Sequence, residues 1–263
     1  MTLGARNPQV RRLRALLRDR RVRTDEGVFV LEGPRVVEGA IDRGVLLEAL
    51  YLGTGASTAF APLVERVRAT GSPINELSEG VLEKVGTTRT PQPVLAIAPR
   101  VARPLGPVAG DGTVLVAVDV NDPGNLGTII RSAEAAGADG VVVCGNSVDV
   151  QNPKAVRSSA GAIFGVPVME ADDPMEVITV LRAQDRRCLA TVPTGGEAYD
   201  EVDLATSCAV VVGNEARGLG GGLEPLPVDG QVSIPMTSRS ESLNVAMAAT
   251  VVLFEAARQR RHP

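Results

Sequence analysis

The sequence predicts a two-domain α/β protein whose larger, C-terminal part is built on a parallel sheet. Three observations carry that expectation. From Val114 onward, short β-branched runs alternate with helical stretches, the order of parallel strands covered by helices on both faces. Residues 99–112, PRVARPLGPVAGDG, are rich in Pro and Gly and read as a linker. Charge changes sign across that stretch: residues 1–108 carry 16 basic and 11 acidic side chains, residues 109–263 carry 11 and 20. The division expected is 1–104, a linker at 105–112, and 113–263.

In the first part, Asn7 to Arg21 reads as one helix with an apolar stripe of Val10, Leu13, Leu16 and Leu17. Val28 to Leu31 reads as a strand, followed by Gly33-Pro34 and a helix through Ile41. Leu46 to Leu52 is strand-like and Ala59 to Ala69 helical. A short strand at Pro73 to Glu76, a helix at Glu79 to Val85 and a strand at Val94 to Ala98 complete a small α/β module. In the second part, strands are expected at Val114–Val118, Gly140–Cys144, Val166–Met169, Arg187–Thr191 and Val210–Val212. Helices are expected at 126–136, 153–160, 174–183 and from Ser242 onward.

Composition excludes several classes. With 44% hydrophobic residues the chain buries a core, and no apolar run is long enough to span a membrane. The basic N-terminus lacks an apolar core and a small-residue cleavage site, so it is not a secretory signal, and the expected location is the cytoplasm. Cys144, Cys188 and Cys208 are far apart and read as buried thiols. The one histidine, His262, stands next to the end, so neither a histidine triad nor a His/Cys zinc site is expected. Positive charge gathers at the start: residues 1–35 hold nine arginines against four acids. Such a basic segment on an acidic body suits docking to nucleic acid, although a solvated basic helix face has the same composition.

The chemistry is expected in three segments. VDVNDPGNLGTIIR (Val118–Arg131) is a strand ending in a polar turn that re-enters as a helix, an arrangement that binds ligands in α/β folds. VVVGNEARGL (Val210–Leu219) is a strand ending at Gly213-Asn214-Glu215. IPMTSRSESLN (Ile234–Asn244) runs into the last helix. The first turn lacks the G-x-G-x-x-G spacing of a dinucleotide site, and no Walker motif occurs.

Taken in order, the three segments resemble the three motifs of the SpoU branch of the SPOUT RNA methyltransferases. The closing stretch SLNVAMAATVVLFEAARQR is especially similar. The stretch Arg20 to Pro34 resembles that branch's substrate-binding domain, which has a fold like ribosomal protein L30e. The resemblance implies a C-terminal SPOUT domain with a deep trefoil knot, something pattern alone never suggests. It also implies a homodimer built on that domain, which the nearly all-round apolar Val245–Phe254 favours.

The same resemblance assigns roles residue by residue. Arg131 matches the catalytic arginine, either as the group that takes the proton of a ribose 2′-hydroxyl or as a cation that stabilises the forming alkoxide. The second role suits a guanidinium, whose free pKa lies above about 12. Asn121 is placed to orient Arg131, and Glu215 to pair with an arginine. Ser242 and Asn244 complete the polar set, with helix capping as the plainer reading of one of them. S-adenosylmethionine is implied as the cofactor, without metal, held by main-chain groups at Gly213, Ile234 and Leu243, with Met236 and Thr191 beside them. The third segment departs from the family pattern in having Thr237-Ser238-Arg239 where a glycine usually follows IPM. The substrate implied is structured RNA, first 23S rRNA and second tRNA; a non-catalytic RNA-binding protein is the reading from another class. Arg11, Arg12, Arg20, Arg21 and Arg157 are the expected RNA contacts.

Overall fold

The computed structural model describes residues 2–88, 90–213, 226–237 and 242–262. The chain begins with β1 (Thr2–Leu3), α1 (Pro8–Arg18), α2 (Arg20–Glu26), β2 (Val28–Glu32), α3 (Pro34–Asp42) and β3 (Ala49–Leu52). α4 (Ala56–Ala59), α5 (Ala61–Ala69), β4 (Ile74–Leu77), α6 (Val81–Val85) and β5 (Val94–Pro99) follow. The five strands form a mixed sheet in the order β1-β4-β3-β5-β2, with β5 antiparallel to both neighbours. α1 starts where the Asn7 side chain accepts from Gln9 N–H and Pro8 occupies the first turn. Its stripe of Val10, Leu13, Leu16 and Leu17 packs on Leu3, Val30, Tyr51, Leu77, Leu95 and Ile97. The expected single helix over 7–21 is broken at Asp19, which leaves helical geometry and caps α2 through Arg21 N–H. Phe60 similarly divides α4 from α5.

The second sheet begins with β6 (Arg103–Pro104), β7 (Thr113–Val118), α7 (Pro123–Ala135) and β8 (Gly140–Cys144). α8 (Pro153–Ser159) and a 3-10 turn at Ala162–Phe164 come next, then β9 (Val168–Ala171), α9 (Pro174–Arg182), β10 (Arg187–Thr191) and β11 (Glu197–Ala198). β12 (Cys208–Val212), β13 (Gly230–Ser233) and α10 (Val245–Arg261) complete the chain. The eight strands run in the order β11-β13-β10-β12-β7-β8-β9-β6, and every pairing is parallel. One face of the central strands packs Val114, Val116, Val118, Val142 and Val211 against Val177, Ile178 and Leu181 of α9.

The chain divides into two compact units, 1–101 with 151–165, and 102–150 with 166–263. It therefore passes between units three times, where a single linker at 105–112 was expected. The segment 151–165 joins the first unit for local reasons. Phe164 stacks on Phe29 with ring centroids 6.0 Å apart. Gly161 lies against Gly39, where a Cβ would come within 3.3 Å of the Gly161 Cα. The stretch read as a linker is held, from Ala102 onward, in the second unit. β6 pairs with β9, and the buried Arg186 donates to the carbonyls of Gly110 and Gly112 at 2.6 and 2.7 Å.

Candidate active site at the carboxyl edge of the parallel sheet

Because all strands of the second sheet are parallel, the segments leaving β7, β10, β12 and β13 emerge along one edge. The order of strands marks a place on that edge. From β7 the chain moves outward through β8 to β9, then reappears on the other side at β10 and β12. The crevice between β7 and β12 is thus the point where the winding reverses, the usual ligand position in such sheets. Val212 pairs with Ala117 there, so Gly213 and the segment from Asp119 to Asn121 flank it. Thr191 pairs with Val232, which sets Thr191 beside the chain leading to Ile234 and Met236.

Two helices run back from this edge side by side. Asn244 Nδ2 donates to Asn125 Oδ1 at 3.1 Å, and the Ser132 and Thr250 hydroxyls meet at 2.6 Å. The matching offsets make α7 and α10 parallel to each other. Near the far end of α10, Arg260 bonds the hydroxyl of Thr113, at the start of β7. Both N-termini therefore point at the crevice, where exposed N–H groups favour negative charge. Asp122 caps α7 through Asn125 N–H at 2.9 Å, and Asn244 caps α10 through Ala246 N–H at 3.0 Å.

The site residues expected from sequence fall as follows. Arg131 is exposed on α7, with no hydrogen-bonding or ionic partner among the described residues. Asn121 is exposed in the turn before the cap. Of the two residues for which capping was the plainer reading, Asn244 is the cap of α10 and Ser242, exposed two residues earlier, is not. The helix expected from Ser242 starts at Val245. Glu215 lies outside the described residues. Thr191 is half-buried and spends its hydroxyl on the Val211 carbonyl at 3.1 Å. Gly213, Ile234 and Met236 are partly buried and Leu243 is exposed, 40% accessible. Among the described residues their main-chain groups carry no hydrogen bond to another segment. Unspent peptide donors and acceptors beside Ile234 and Met236 are what an adenosyl group needs: an apolar slot with main-chain partners. The residues present therefore fit S-adenosylmethionine.

Sequence reasoning missed Asn125, which ties the two helix starts together, and the strands β11 and β13. The segment Gly230–Ser233, GQVS, has one apolar residue in four, so its composition gave no strand signal. Among the described residues no group of three or more metal-ligating side chains occurs, and no helix is long and apolar enough to cross a membrane. The three thiols are buried and chemically quiet at neutral pH. Burial pushes Cys144 up to about 12 and Cys188 up to about 11, and raises Cys208 as well.

In the first unit, the expected RNA-contacting cations separate into two kinds. Arg11, Arg20 and Arg21 are exposed and unpaired among the described residues. Arg12 is not available in the same way. Its Nε bonds Glu26 at 2.6 Å and its other nitrogens hold Glu48, whose carboxyl the guanidinium keeps below its usual range. Arg157 is likewise committed: it bonds the carboxylate of Glu32 and the hydroxyl of Thr87. The same reason weakens both as candidate RNA contacts. A guanidinium already neutralised by a carboxylate is a poor phosphate ligand.

Residues 7–96 match a model described as an MRM3-like substrate binding domain. Residues 112–254, more than half of the chain and all of the crevice, match the model of the SpoU rRNA Methylase family. The chain belongs to that family. The 23S rRNA (uridine(2479)-2′-O)-methyltransferase of Streptomyces viridochromogenes is 33% identical over 98% of this chain and 92% of its own length. The 23S rRNA (guanosine(2553)-2′-O)-methyltransferase RlmP of Bacillus subtilis is 33% identical over 95% and 96%. Among solved structures, the SpoU methyltransferase AviRb from Streptomyces viridochromogenes in complex with the cofactor AdoMet superposes with a TM-score of 0.86. It is 31% identical and covers 98% of this chain and 99% of that one. As a SpoU family member the chain is an RNA methyltransferase by descent, and the expected α/β architecture, a parallel-sheet C-terminal domain with a smaller N-terminal one, is the one observed.

Proposed function

We propose that this chain transfers a methyl group from S-adenosylmethionine to a ribose 2′-hydroxyl of 23S rRNA. The observation that carries the reading is the meeting, at one crevice, of the three segments singled out by sequence: the β7 turn with α7, the end of β12, and the approach to α10. The substrate reading is supported by the relatives, two of which are named for 2′-O-methylation of 23S rRNA.

The cofactor, when bound, supplies an electrophilic methyl group. This chain supplies placement, which alone contributes roughly 7–11 kcal/mol in favourable cases. Main-chain groups at Gly213, Ile234, Met236 and Leu243, with Thr191 alongside, hold the adenosyl part. Arg131, a cation with no protein partner among the described residues, stabilises the 2′-oxygen as it loses its proton and holds the neighbouring phosphate. Asn121, Ser242 and Asn244 form the polar rim, and the family resemblance assigns Glu215 to the same set. Arg11, Arg20 and Arg21 dock the RNA backbone. The domain division 1–104, 105–112 and 113–263 describes the evolutionary parts, a docking module and a transferase.

Three further features belong to the reading: a trefoil knot threaded by the C-terminal segment, a homodimer and a cytoplasmic location. The dimer is favoured by α10, which leaves Met247 56% and Phe254 43% exposed beside Leu243. The test is to map ribose methylation in total RNA from cells with and without the gene. One 23S rRNA position must lose its 2′-O-methyl group. A loss confined to tRNA redirects the substrate, and an unchanged map refutes the activity.

A further inference from the structure

The central strand β7 delivers the chain to the site through Asp119, whose φ is 54°. That left-handed region is costly for a residue with a Cβ and persists where the surroundings fix it. Two other non-glycine residues among those described adopt it, Ala160 and Asp185. Both follow helix ends, where a left-handed residue is the ordinary way to stop. Asp119 instead stands at a strand end, one residue past the last pairing of β7 with β8.

Its surroundings hold it from several sides. Asp119 N–H donates to the Cys144 carbonyl at 3.2 Å, and Oδ1 accepts from Asn146 N–H at 2.7 Å. Gly145 lies directly beneath the carboxylate. A Cβ there would sit 2.4 Å from Oδ1, so only glycine permits the contact. One residue on, Val120 N–H donates to Ser147 Oγ and the Val120 carbonyl accepts from Val148 N–H, both at 3.0 Å. The Ser147 hydroxyl in turn donates to the Cys144 carbonyl at 2.7 Å. The turn after β8 thus grips two residues of the chain immediately before Asn121, Asp122 and the first turn of α7.

We propose that Asp119 is a positioning residue for the transferase site. Its left-handed backbone turns the chain off the sheet, and its carboxylate, bound to Asn146, fixes the angle. Asn121 and α7, and with α7 Arg131, leave the sheet in the direction this joint sets. Asp119 touches no reacting atom and acts only through those residues. The inference rests on the reading of Arg131 as the cation at the reacting oxygen.

The experiment compares three substitutions. Asp119→Asn keeps an acceptor oxygen and a residue type that tolerates the left-handed region. Asp119→Gly keeps the backbone geometry and removes the acceptor, and Asp119→Ala removes both. Each is measured for kcat and KM on 23S rRNA purified from cells lacking the gene, for S-adenosylmethionine affinity by calorimetry, and for Tm. A displacement of about 1 Å costs up to about a hundredfold in rate. Asp119→Gly should therefore lose kcat on a scale of roughly ten- to a hundredfold, with KM, cofactor affinity and Tm unchanged. Asp119→Ala should lose at least as much and Asp119→Asn should recover most of it. Full kcat in Asp119→Gly overturns the proposal. So does an Asp119→Asn loss equal to that of Asp119→Gly, or a kcat loss matched by falls in Tm and cofactor affinity. Arg131→Ala, run alongside, separates the two levels. If it retains full turnover, the reading of the site fails and the proposal with it; if it is inactive while Asp119→Gly is normal, only the proposal fails.

Discussion

Replacing Arg157 with Met tests whether this arginine holds the protein together or touches RNA. Glu32 is almost fully buried, its side chain 2% accessible, and Arg157 is its charged partner, itself 25% accessible. Thr87 adds a hydroxyl donor at 2.7 Å and a longer bond from its N–H at 3.3 Å. Methionine approximates the packing of the arginine stem and removes the charge. Removing one partner of a buried pair leaves the other charge uncompensated, which costs about 3–5 kcal/mol. The Thr87 hydroxyl remains and Arg157 is partly accessible, so the lower end, about 3 kcal/mol, applies. For a unit of somewhat over a hundred residues, each kcal/mol shifts Tm by roughly 3–6 °C. Calorimetry should therefore show the transition of the first unit falling by about 10 °C or more. The double variant Arg157→Met, Glu32→Gln should recover most of the loss, because a neutral amide has far less to lose by burial. In parallel, the salt dependence of RNA binding should keep its slope. An unchanged Tm together with a slope flattened by about 0.7–0.9 per contact would refute the structural role and restore Arg157 as a phosphate ligand.

Other outcomes follow from the same geometry. Arg131→Ala should leave Tm and S-adenosylmethionine affinity intact, since the side chain is exposed and unpaired among the described residues, while turnover falls by at least about a hundredfold; single-turnover kinetics at saturating RNA check it. Phe254→Arg with Met247→Glu should shift light scattering toward monomer, because an aromatic anchor at an interface is worth about 2 kcal/mol or more. Gln at Arg11, Arg20 and Arg21 together should weaken RNA binding and flatten its salt slope by up to about 0.7–0.9 per contact. Arg12→Gln should alter binding little and instead release Glu48 toward its ordinary pKa. The Arg12–Glu48 pair contributes fully above the ordinary carboxylate pKa, and the contribution is lost as pH falls from there through the depressed value Glu48 has in the folded chain. It is largely exposed, so its loss is worth less than about 1 kcal/mol by acid unfolding.

The strands β7, β8 and β12 were legible because each carries a β-branched run buried on both faces, a pattern that survives any tertiary context. The helix starts at Asn7 and Asp173 were legible for a local reason as well, since cap and proline sit together in the sequence, whereas α7 begins at Pro123, three residues before the expected start at 126. β13 was not. Its four residues are held by Ala190 and Thr191 on one side and Glu197 and Ala198 on the other, and pairing partners are not written in a segment's own composition. The arginines show the same limit. Arg11 and Arg12 are adjacent and identical in type, yet one faces solvent and the other meets Glu26 and Glu48, because successive helical positions point about 100° apart.

By itself the sequence determined the fold class, the three segments proposed to carry the chemistry and the family they belong to. Each is a matter of residue type and local order, which the chain states directly. Only the tertiary structure decided that segments separated by more than ninety residues share one crevice, since that depends on strand order and the hand of each connection. It alone decided that residues 151–165 pack with the first unit, and which cations were already neutralised. Long-range contact is a property of the folded chain, and a charge has a function only after its neighbours are known.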